Sequence, residues 1–162
     1  MTPDRITRFV VIDVETTGFG TSDRVVEVAA ILVDRRTGKE LEVLQSLVNP
    51  GRPVGPATRV HGITDAMLAS APRFSAIAPD LRAMLQVAPV VAHNISFDRR
   101  MLTQEFRRIR TTWPPTDEHC TYGLTGQKLA VACAERGIVI DGHHRALADA
   151  RATAELFRAV AG

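Results

Sequence analysis

Residues 10–18, VVIDVETTG, begin as a buried β-strand and then place two acids, Asp13 and Glu15, where further apolar residues are expected. Side chains two positions apart on a strand point to the same face. The two acids therefore share a face with Phe9 and Val11, and the other face carries Val10, Ile12 and Val14. Both faces are apolar before the acids begin, which is typical of a central strand covered on both sides.

Two interpretations of these acids remain open from this segment alone. The strand can end near Asp13, so that both acids meet water and Glu15 starts a turn. Alternatively, a cation lies between the two carboxylates, because buried carboxylates this close otherwise repel and raise each other's pKa.

The flanking sequence predicts three consecutive strands. Apolar and polar residues alternate over residues 8–15, 25–34 and 41–48, and Gly38 lies in the turn RRTGKE between the second and third runs. The second and third strands are therefore expected to form a hairpin. Residues 49–68 are rich in Pro, Gly and Thr, which predicts a loop with at most short helical turns.

The second half of the chain alternates helix and strand patterns. Helical spacing of apolar residues covers 74–86 and 97–109, with a short buried strand, APVVAH, at 88–93. Further helices are expected at about 125–136, ending near Gly137 as a C-cap, and at 145–161. This order predicts one α/β domain over residues 1–162, in which an antiparallel meander is extended by parallel strands through helical crossovers.

Length and composition exclude several classes of protein. No apolar run approaches the roughly 20 residues of a membrane span, and the N-terminus MTPDRITRF lacks the pattern of a signal peptide, so a cytoplasmic protein without membrane contact is expected. Cys120 and Cys133 lack CxxC spacing, which argues for structural roles and against a zinc site or a disulfide framework.

The formal net charge of +2 says little about partners, but the type and position of the basic residues say more. Arg supplies 18 of the 20 basic residues. Five of them crowd one segment, and their forked side chains either bind phosphates or form a solvated helix face. These five are Arg99, Arg100, Arg107, Arg108 and Arg110.

Asp98 continues the apolar stripe of the helix predicted at 97–109. The stripe consists of Leu102, Phe106 and Ile109, and Asp98 lies one turn before it on the same face. An acid in the first turn of a helix also benefits from the helix dipole. The helix dipole explains why an acid lies in the first turn, but it does not explain why the acid lies on the apolar face of the helix.

Asp149 lies near the start of the last predicted helix, on a face with Ala146, Thr153 and Leu156. A solvated acid at a helix start is the alternative. His144 precedes Asp149 by five residues, which is about 140° around a helix, so both can serve one site only if His144 lies in the preceding loop. A lone His is more often structural, but an imidazole in a loop can also accept a proton at neutral pH.

Taken together, four acids and one His are expected to form a metal site. Carboxylate ligands select Mg²⁺ or Mn²⁺ rather than zinc. Two such ions about 4 Å apart are the usual device for in-line attack on a phosphodiester. Burial of the acids in the opening segment would fix the geometry that the ions require.

Three segments resemble the motifs of the DEDDh, or DnaQ-like, 3′→5′ exonuclease superfamily. They are VVIDVETTG at 10–18, VVAHNISFD at 90–98 and HRALAD at 144–149, and the resemblance runs from about Phe9 to Val160. It implies an RNase H-like α/β fold with a five-stranded mixed sheet. It also implies removal of 3′-terminal nucleoside monophosphates with two Mg²⁺ or Mn²⁺ ions.

The resemblance implies a role for each of the five residues. Asp13 matches the acid that bridges both ions, and Glu15 and Asp149 match the acids on the ion that activates water. Asp98 matches the ligand of the second ion. His144 matches the general base, because its spacing to the third-motif acid is H-x4-D, whereas His143 is one residue too early.

The same resemblance gives candidates for substrate binding. The backbone of ETTG is similar to the loop that receives the terminal nucleotide, where Gly18 permits close approach and Thr17 can bind the 3′-OH. His61 either lines the nucleotide pocket or closes a turn before Gly62, and Phe97 either packs on a base or fills the core. The full set is Thr16, Thr17, Gly18, His61, Asn94 and Phe97.

The expected substrate is DNA, as single-stranded or frayed 3′ ends, because DVETTG is most similar to the proofreading branch of the superfamily. A 3′→5′ exoribonuclease that trims short RNA or tRNA ends and a catalytically silent nucleic-acid-binding scaffold are the alternatives. A polymerase is a possible partner. One departure is that residues 116–126, TDEHCTYGLTG, stand where many relatives carry an Asp-Thr pair on a fifth strand, so the pairing of this segment stays open.

Overall fold

The computed structural model describes residues 2, 5–114, 116–142 and 144–161. Its centre is one sheet with the strand order β3-β2-β1-β4-β5. Strands β1, β2 and β3 form an antiparallel meander, and β4 and β5 run parallel to β1. The predicted five-stranded mixed sheet is therefore confirmed. The strands are β1 (Arg8–Thr16), β2 (Val25–Asp34), β3 (Glu40–Leu47), β4 (Val90–Ala92) and β5 (Glu118–Cys120).

The fifth strand comes from the segment whose pairing the sequence left open. Glu118 pairs with Val90 and Cys120 with Ala92, so β5 forms an edge of the sheet next to β4.

Seven α-helices connect and cover the strands in the described residues. The short helical turns expected between 49 and 68 are present as α1 and α2, which follow a 3-10 turn at Gly55–Ala57. The long helices agree with the predicted ones within two or three residues at each end. The helices are α1 (Thr58–His61), α2 (Asp65–Leu68), α3 (Phe74–Met84), α4 (Ile95–Arg108), α5 (Thr121–Thr125), α6 (Leu129–Ala134) and α7 (Ala146–Val160).

The helix predicted at about 125–136 is present but starts later, at Leu129. Gly126 adopts the left-handed conformation, with φ 68°, and its N–H donates to the carbonyl of Tyr122 at 2.7 Å, which ends α5. The chain is then extended at Lys128 before α6 begins. Gly137, with φ 68°, lies just past the end of α6, as the predicted C-cap requires.

Two helical layers bury the two faces of β1. Val10 and Ile12 belong to a core cluster that includes Leu81 of α3 and Phe106 of α4. On the other face, Phe9 and Val11 pack with the small residues of α7 and with Phe157, whose ring centroid lies 4.9 Å from that of Phe9. The interpretation of β1 as a central strand covered on both sides is confirmed.

Strand β4 is much shorter than its neighbour β1. It pairs with β1 only at Val10 and Val11, and it ends at Ala92. Residues 12–16 of β1 therefore have an open edge on the side of β4. This gap positions the candidate site.

Within the described ranges, no helix has both the length and the apolar character that crossing a lipid bilayer requires.

Candidate active site

Three elements bring the predicted acids to the open edge of β1. Asp13 and Glu15 lie in the second half of β1, Asp98 in the first turn of α4, and Asp149 in the first turn of α7. Carboxylate oxygens of Asp13, Glu15 and Asp149 all lie within 4.8 Å of one another.

Asp98 joins the other acids from the opposite side of the sheet. Its Oδ1 accepts a hydrogen bond from the N–H of Val14 at 3.2 Å, and the side chain is buried. Because β4 has already ended, this N–H has no partner strand on that side, and a buried N–H needs an acceptor. Asp149 is buried as well. The alternative in which Asp149 is a solvated helix-start acid is therefore wrong.

The electrostatics of the cluster favour protonation in the absence of a cation. Burial, followed by repulsion from Asp98, Glu15 and Asp149, raises the pKa of Asp13 well above its ordinary value. Burial and repulsion from Asp149 and other acids raise the pKa of Glu15 to about 8. Burial raises the pKa of Asp98 to about 8, although the hydrogen bond from Val14 opposes it.

The donor set fits hard divalent cations. Every ligand atom that the cluster offers is a carboxylate oxygen, the type that Mg²⁺ and Mn²⁺ prefer. A cation between the acids would also remove the repulsion that raises their pKa values. The residues present therefore suit a site for divalent metal ions, in agreement with the cation interpretation of the opening segment.

His144 lies in the loop before α7, which is the position it needs in order to share a site with Asp149. It is exposed and adopts the left-handed conformation with φ 63°, and its backbone N–H donates to Oδ2 of Asp149 at 3.2 Å. Its side chain lines the same cavity as Glu15. Its neighbour His143 lies outside the described residues.

An apolar cavity of about 520 Å³ opens beside the acids. Five of the six predicted substrate-binding residues line it, together with Val14, Glu15 and His144. The sixth, Asn94, lies outside this lining and instead precedes α4 in a left-handed conformation, with φ 68°. The five are Thr16, Thr17, Gly18, His61 and Phe97.

Residues 10–157 match the RNase_T family, which is described as Exonuclease. The chain belongs to this exonuclease family. The match covers all of the acids and His144, so the resemblance seen in the motifs is confirmed.

Individual relatives agree with this family assignment. The chain is 38% identical over 166 residues to a DNA polymerase III subunit epsilon-like protein of Rhodobacter capsulatus, covering 95% of this chain and 23% of that protein. It is 38% identical over 119 residues to the DNA polymerase III subunit epsilon of Pasteurella multocida, covering 67% of this chain and 46% of that one. The chain therefore spans less than half of either relative.

A solved member of the exonuclease family has the same fold. Exonuclease X in complex with 5′ overhanging duplex DNA superposes with a TM-score of 0.74 at 31% identity. The alignment covers 94% of this chain and 90% of that chain. The RNase H-like fold expected from the motifs is confirmed.

Asp23 fixes the conformation of the ETTG loop of this family member. Thr17 Oγ1 donates to Asp23 Oδ1 at 2.7 Å and accepts from the N–H of Arg24 at 3.0 Å. A Cβ on Gly18 would lie 2.6 Å from Asp23 Oδ2, closer than real Cβ atoms approach. A side chain at position 18 would therefore force the Asp23 carboxylate to move, a constraint that the sequence did not indicate.

His61 closes a turn and also lines the cavity beside the acids. Its Nδ1 accepts from the N–H of Ile63 at 3.1 Å, and its Nε2 lies 3.2 Å from the carbonyl of Thr16. Burial lowers its pKa, so the neutral ring with the proton on Nε2 satisfies both contacts. His61 thus closes the turn at Gly62 and at the same time forms part of the cavity wall.

Phe97 also combines two roles, since it packs against the core and lines the cavity. Its ring lies 5.6 Å from the ring of Phe19, which is 79% exposed at the cavity rim. The guanidinium carbon of Arg100 lies 5.6 Å from the centre of the Phe97 ring. Sequence reasoning missed Phe19, because a single aromatic residue in a glycine-rich loop carries no periodic signal.

Three of the five clustered arginines make intramolecular contacts. Arg99 pairs with Glu118 at 2.9 Å, Arg100 donates to the carbonyl of Phe19 at 2.7 Å, and Arg108 pairs with Glu105 at 3.0 Å. These contacts fasten α4 to β5 and to the loop before β2. They weaken the hypothesis that the whole cluster binds phosphates.

Glu27 is an acid next to the candidate site that sequence reasoning missed. It lies on β2 directly opposite Glu15, is fully buried and pairs with Arg145 at 2.8 Å. Burial acts to raise its pKa, but the hydrogen bonds from Arg145 and from the N–H of Ala146 outweigh burial and lower it. The available signal was a charged residue inside the apolar run VVEVAAILV.

Proposed function

We propose that this chain is a 3′→5′ exonuclease that hydrolyses the terminal phosphodiester bond of DNA and releases nucleoside 5′-monophosphates. The observation that carries the proposal is the convergence of three carboxylates within 4.8 Å, next to a cavity of about 520 Å³. Asp98 adds a fourth acid, which is itself buried, at the same edge. A silent scaffold has no need of such a cluster, because each unneutralised acid opposes folding.

The acids would hold two Mg²⁺ or Mn²⁺ ions. Asp13 would serve both ions, Glu15 and Asp149 would hold the ion that activates water, and Asp98 would hold the second ion. When bound, such ions lower the pKa of an attacking water and neutralise the departing oxygen. The contribution of the chain is a rigid set of ligands fixed to a strand and to two helices.

His144 is the proposed general base. It lies at the cavity wall next to Glu15, in a loop rather than on the helix. Its ring could accept the proton that an attacking water loses. The backbone hydrogen bond from His144 to Asp149 ties this base to a metal ligand.

The cavity is the proposed site for the terminal nucleotide. Its apolar wall, with Val60, Phe97 and the exposed Phe19, suits the faces of a base and a sugar. Thr17 Oγ1 already gives its proton to Asp23, so it can only accept a further hydrogen bond. A 3′-OH, which has a proton to donate, would meet that requirement.

DNA is the proposed substrate because the names of the relatives point to it. Two are DNA polymerase III epsilon or epsilon-like proteins, and Exonuclease X was solved with duplex DNA. A role beside a polymerase, in the cytoplasm, is part of the same proposal. The identity of the metal and the preference for single-stranded ends belong to it as well.

The proposal is tested on a DNA and an RNA oligomer of the same sequence at one salt concentration, each with 5′ and 3′ labels. We expect stepwise shortening of single-stranded DNA from its 3′ end with Mg²⁺ or Mn²⁺, slower loss of RNA, and no cleavage by Asp13→Ala. Equal or faster cleavage of RNA would move the assignment to an exoribonuclease. Cleavage by an Asp98→Ala, Asp149→Ala double variant would contradict the proposed site.

A further inference from the structure

An ion pair with one fully buried partner, Glu27, lies behind the candidate site, where β2 meets the start of α7. Glu27 is fully buried and is the direct cross-strand partner of Glu15. Directly opposed residues of antiparallel strands point to the same face, and like charges there destabilise the pair. Two neighbouring carboxylates on one face therefore need a compensating group.

Four donors surround the Glu27 carboxylate. Arg145 contributes Nε at 3.0 Å and Nη2 at 2.8 Å, in the forked geometry that suits a carboxylate. The N–H of Ala146 donates at 3.0 Å, and Gln45 Nε2 at 3.3 Å. Such a pair is weak evidence for a stabilising role, because desolvation of the buried Glu27 offsets much of the attraction. Its position suggests a different use.

The pair fixes the point at which α7 begins. Arg145 is the residue before α7 and makes no side-chain cap of its own, so Glu27 on another strand accepts the N–H of Ala146 in place of a cap. The carbonyl of Arg145 accepts the N–H of Asp149 at 3.0 Å. The N–H of His144 in turn donates to Asp149 Oδ2 at 3.2 Å.

We propose that the Glu27–Arg145 pair is a positioning device, which sets the first turn of α7 and so holds Asp149 and His144 in place relative to Asp13 and Glu15. This inference rests on the proposed function. Neither Glu27 nor Arg145 lines the cavity next to the acids. Both residues therefore act through their neighbours and are positioning residues rather than catalytic ones.

The decisive variant is Glu27→Gln, which keeps the side-chain shape and removes the charge that the Arg145 fork binds. We expect kcat on single-stranded DNA to fall about 10- to 100-fold, as is typical when a group that orients a metal ligand is changed. KM for the oligonucleotide should stay within about threefold, because the cavity wall is untouched. The Mn²⁺ concentration for half-maximal activity should rise.

A matched control lies on the same helix. Arg151 binds Glu40 of β3 through Nε at 2.7 Å and Nη2 at 3.1 Å, but this pair is partly exposed and lies away from the first turn of α7. Arg151→Gln should leave kcat and the Mn²⁺ requirement unchanged. A similar loss of kcat in this control would mean that any weakening of α7 lowers activity, and the inference would be wrong.

Two further measurements separate positioning from general loss of structure. Amide hydrogen exchange of Glu27→Gln should increase over residues 144–149 and stay unchanged in β1 and β2. Calorimetry should show that Glu27→Gln binds Mn²⁺ more weakly than the wild type does. This measurement needs no turnover, so it still tests the positioning role if the chain has no exonuclease activity and the proposed function is refuted. If Glu27→Gln unfolds, Arg145→Lys, which keeps the charge and loses the fork, should show the same kcat and Mn²⁺ effects. Wild-type kcat and Mn²⁺ binding in a folded variant would overturn the inference.

Discussion

Asp13, Glu15 and Asp98 oppose folding whenever they are ionised without a cation between them. Glu15 and Asp98 have pKa values of about 8 in the folded chain, whereas an unfolded chain releases these protons near pH 4. Between these limits the folded chain binds more protons than the unfolded chain. The free energy of unfolding of the metal-free protein should therefore fall as pH rises from about 4 to about 8.

This fall in the free energy of unfolding with rising pH leads to a stability prediction for Asp13→Asn. At pH 8 in EDTA the variant should melt about 2–4 °C above the wild type, which corresponds to about 1 kcal/mol for a chain of this size. At pH 5 the gain should shrink, because the raised pKa of Asp13 leaves more of this carboxyl group protonated in the wild type than at pH 8. Scanning calorimetry at both pH values checks this. Added Mn²⁺ should stabilise the wild type and not the variant, and a lower melting temperature for Asp13→Asn in EDTA at pH 8 would contradict the argument.

The acids of the site were predictable residue by residue, whereas their supporting residues were not. Asp98 interrupts an apolar helical stripe and Asp13 interrupts an apolar strand, so local periodicity marks both positions. The role of Glu27 depends on Arg145, which lies 118 positions away in the sequence. Local patterns carry no information about such a partner.

At the level of elements, α4 is fastened to the start of β2 by one buried acid. Glu105 accepts from Arg24 at 2.7 and 2.9 Å and from the N–H of Val25 at 3.2 Å, and it also binds Arg108. Arg24 in addition donates to the carbonyl of Pro50 at 2.8 Å. The loop between β1 and β2, which carries Phe19, is therefore anchored at its far end.

We expect Glu105→Gln to lower the free energy of unfolding by about 2 kcal/mol. This is less than the roughly 3–5 kcal/mol for breaking a fully buried pair, because Arg24 is 25% exposed and water can solvate it. Glu42→Gln on the exposed edge strand β3 is the control and should change stability by no more than about 0.5 kcal/mol. Urea unfolding with an unchanged m-value measures both, and equal midpoints for the two variants would refute the anchoring role.

Most elements followed from periodicity, and the failures have local causes. The three meander strands agree with prediction within one residue, since β1 and β2 are buried in the pattern that the sequence shows. The helix expected at 125–136 begins only at Leu129, because Gly126 ends α5 in a left-handed conformation and the chain is extended at Lys128. Strand β5 has only three half-buried residues, too few to produce a recognisable alternation.

For the molecule as a whole, the charge near the cavity depends on metal. The net charge is +2, yet four acids crowd one end of the sheet, and several arginines are already paired within the chain. Without cations this end should repel a phosphate backbone. Bound divalent ions would reverse that local field.

We therefore expect single-stranded DNA to bind His144→Ala, a slowed variant, at least about tenfold more tightly in Ca²⁺ or Mn²⁺ than in EDTA, because hard divalent cations suit this oxygen site. Fluorescence anisotropy at fixed ionic strength measures the difference. The same comparison with Asp13→Ala should show a much smaller effect of metal. Equal affinities in EDTA and in metal would place the main DNA contacts away from the acids.

The three-residue length of β4 has a consequence for redesign of this protein. A β4 extended along β1 would complete the hydrogen-bond ladder and give Val14 a backbone partner. By the usual criteria of sheet design, this change would improve the pairing of the strands. The same extension would displace Asp98 and occupy the space in which the acids meet. The missing part of the ladder therefore leaves the space in which the acids of the candidate site come together.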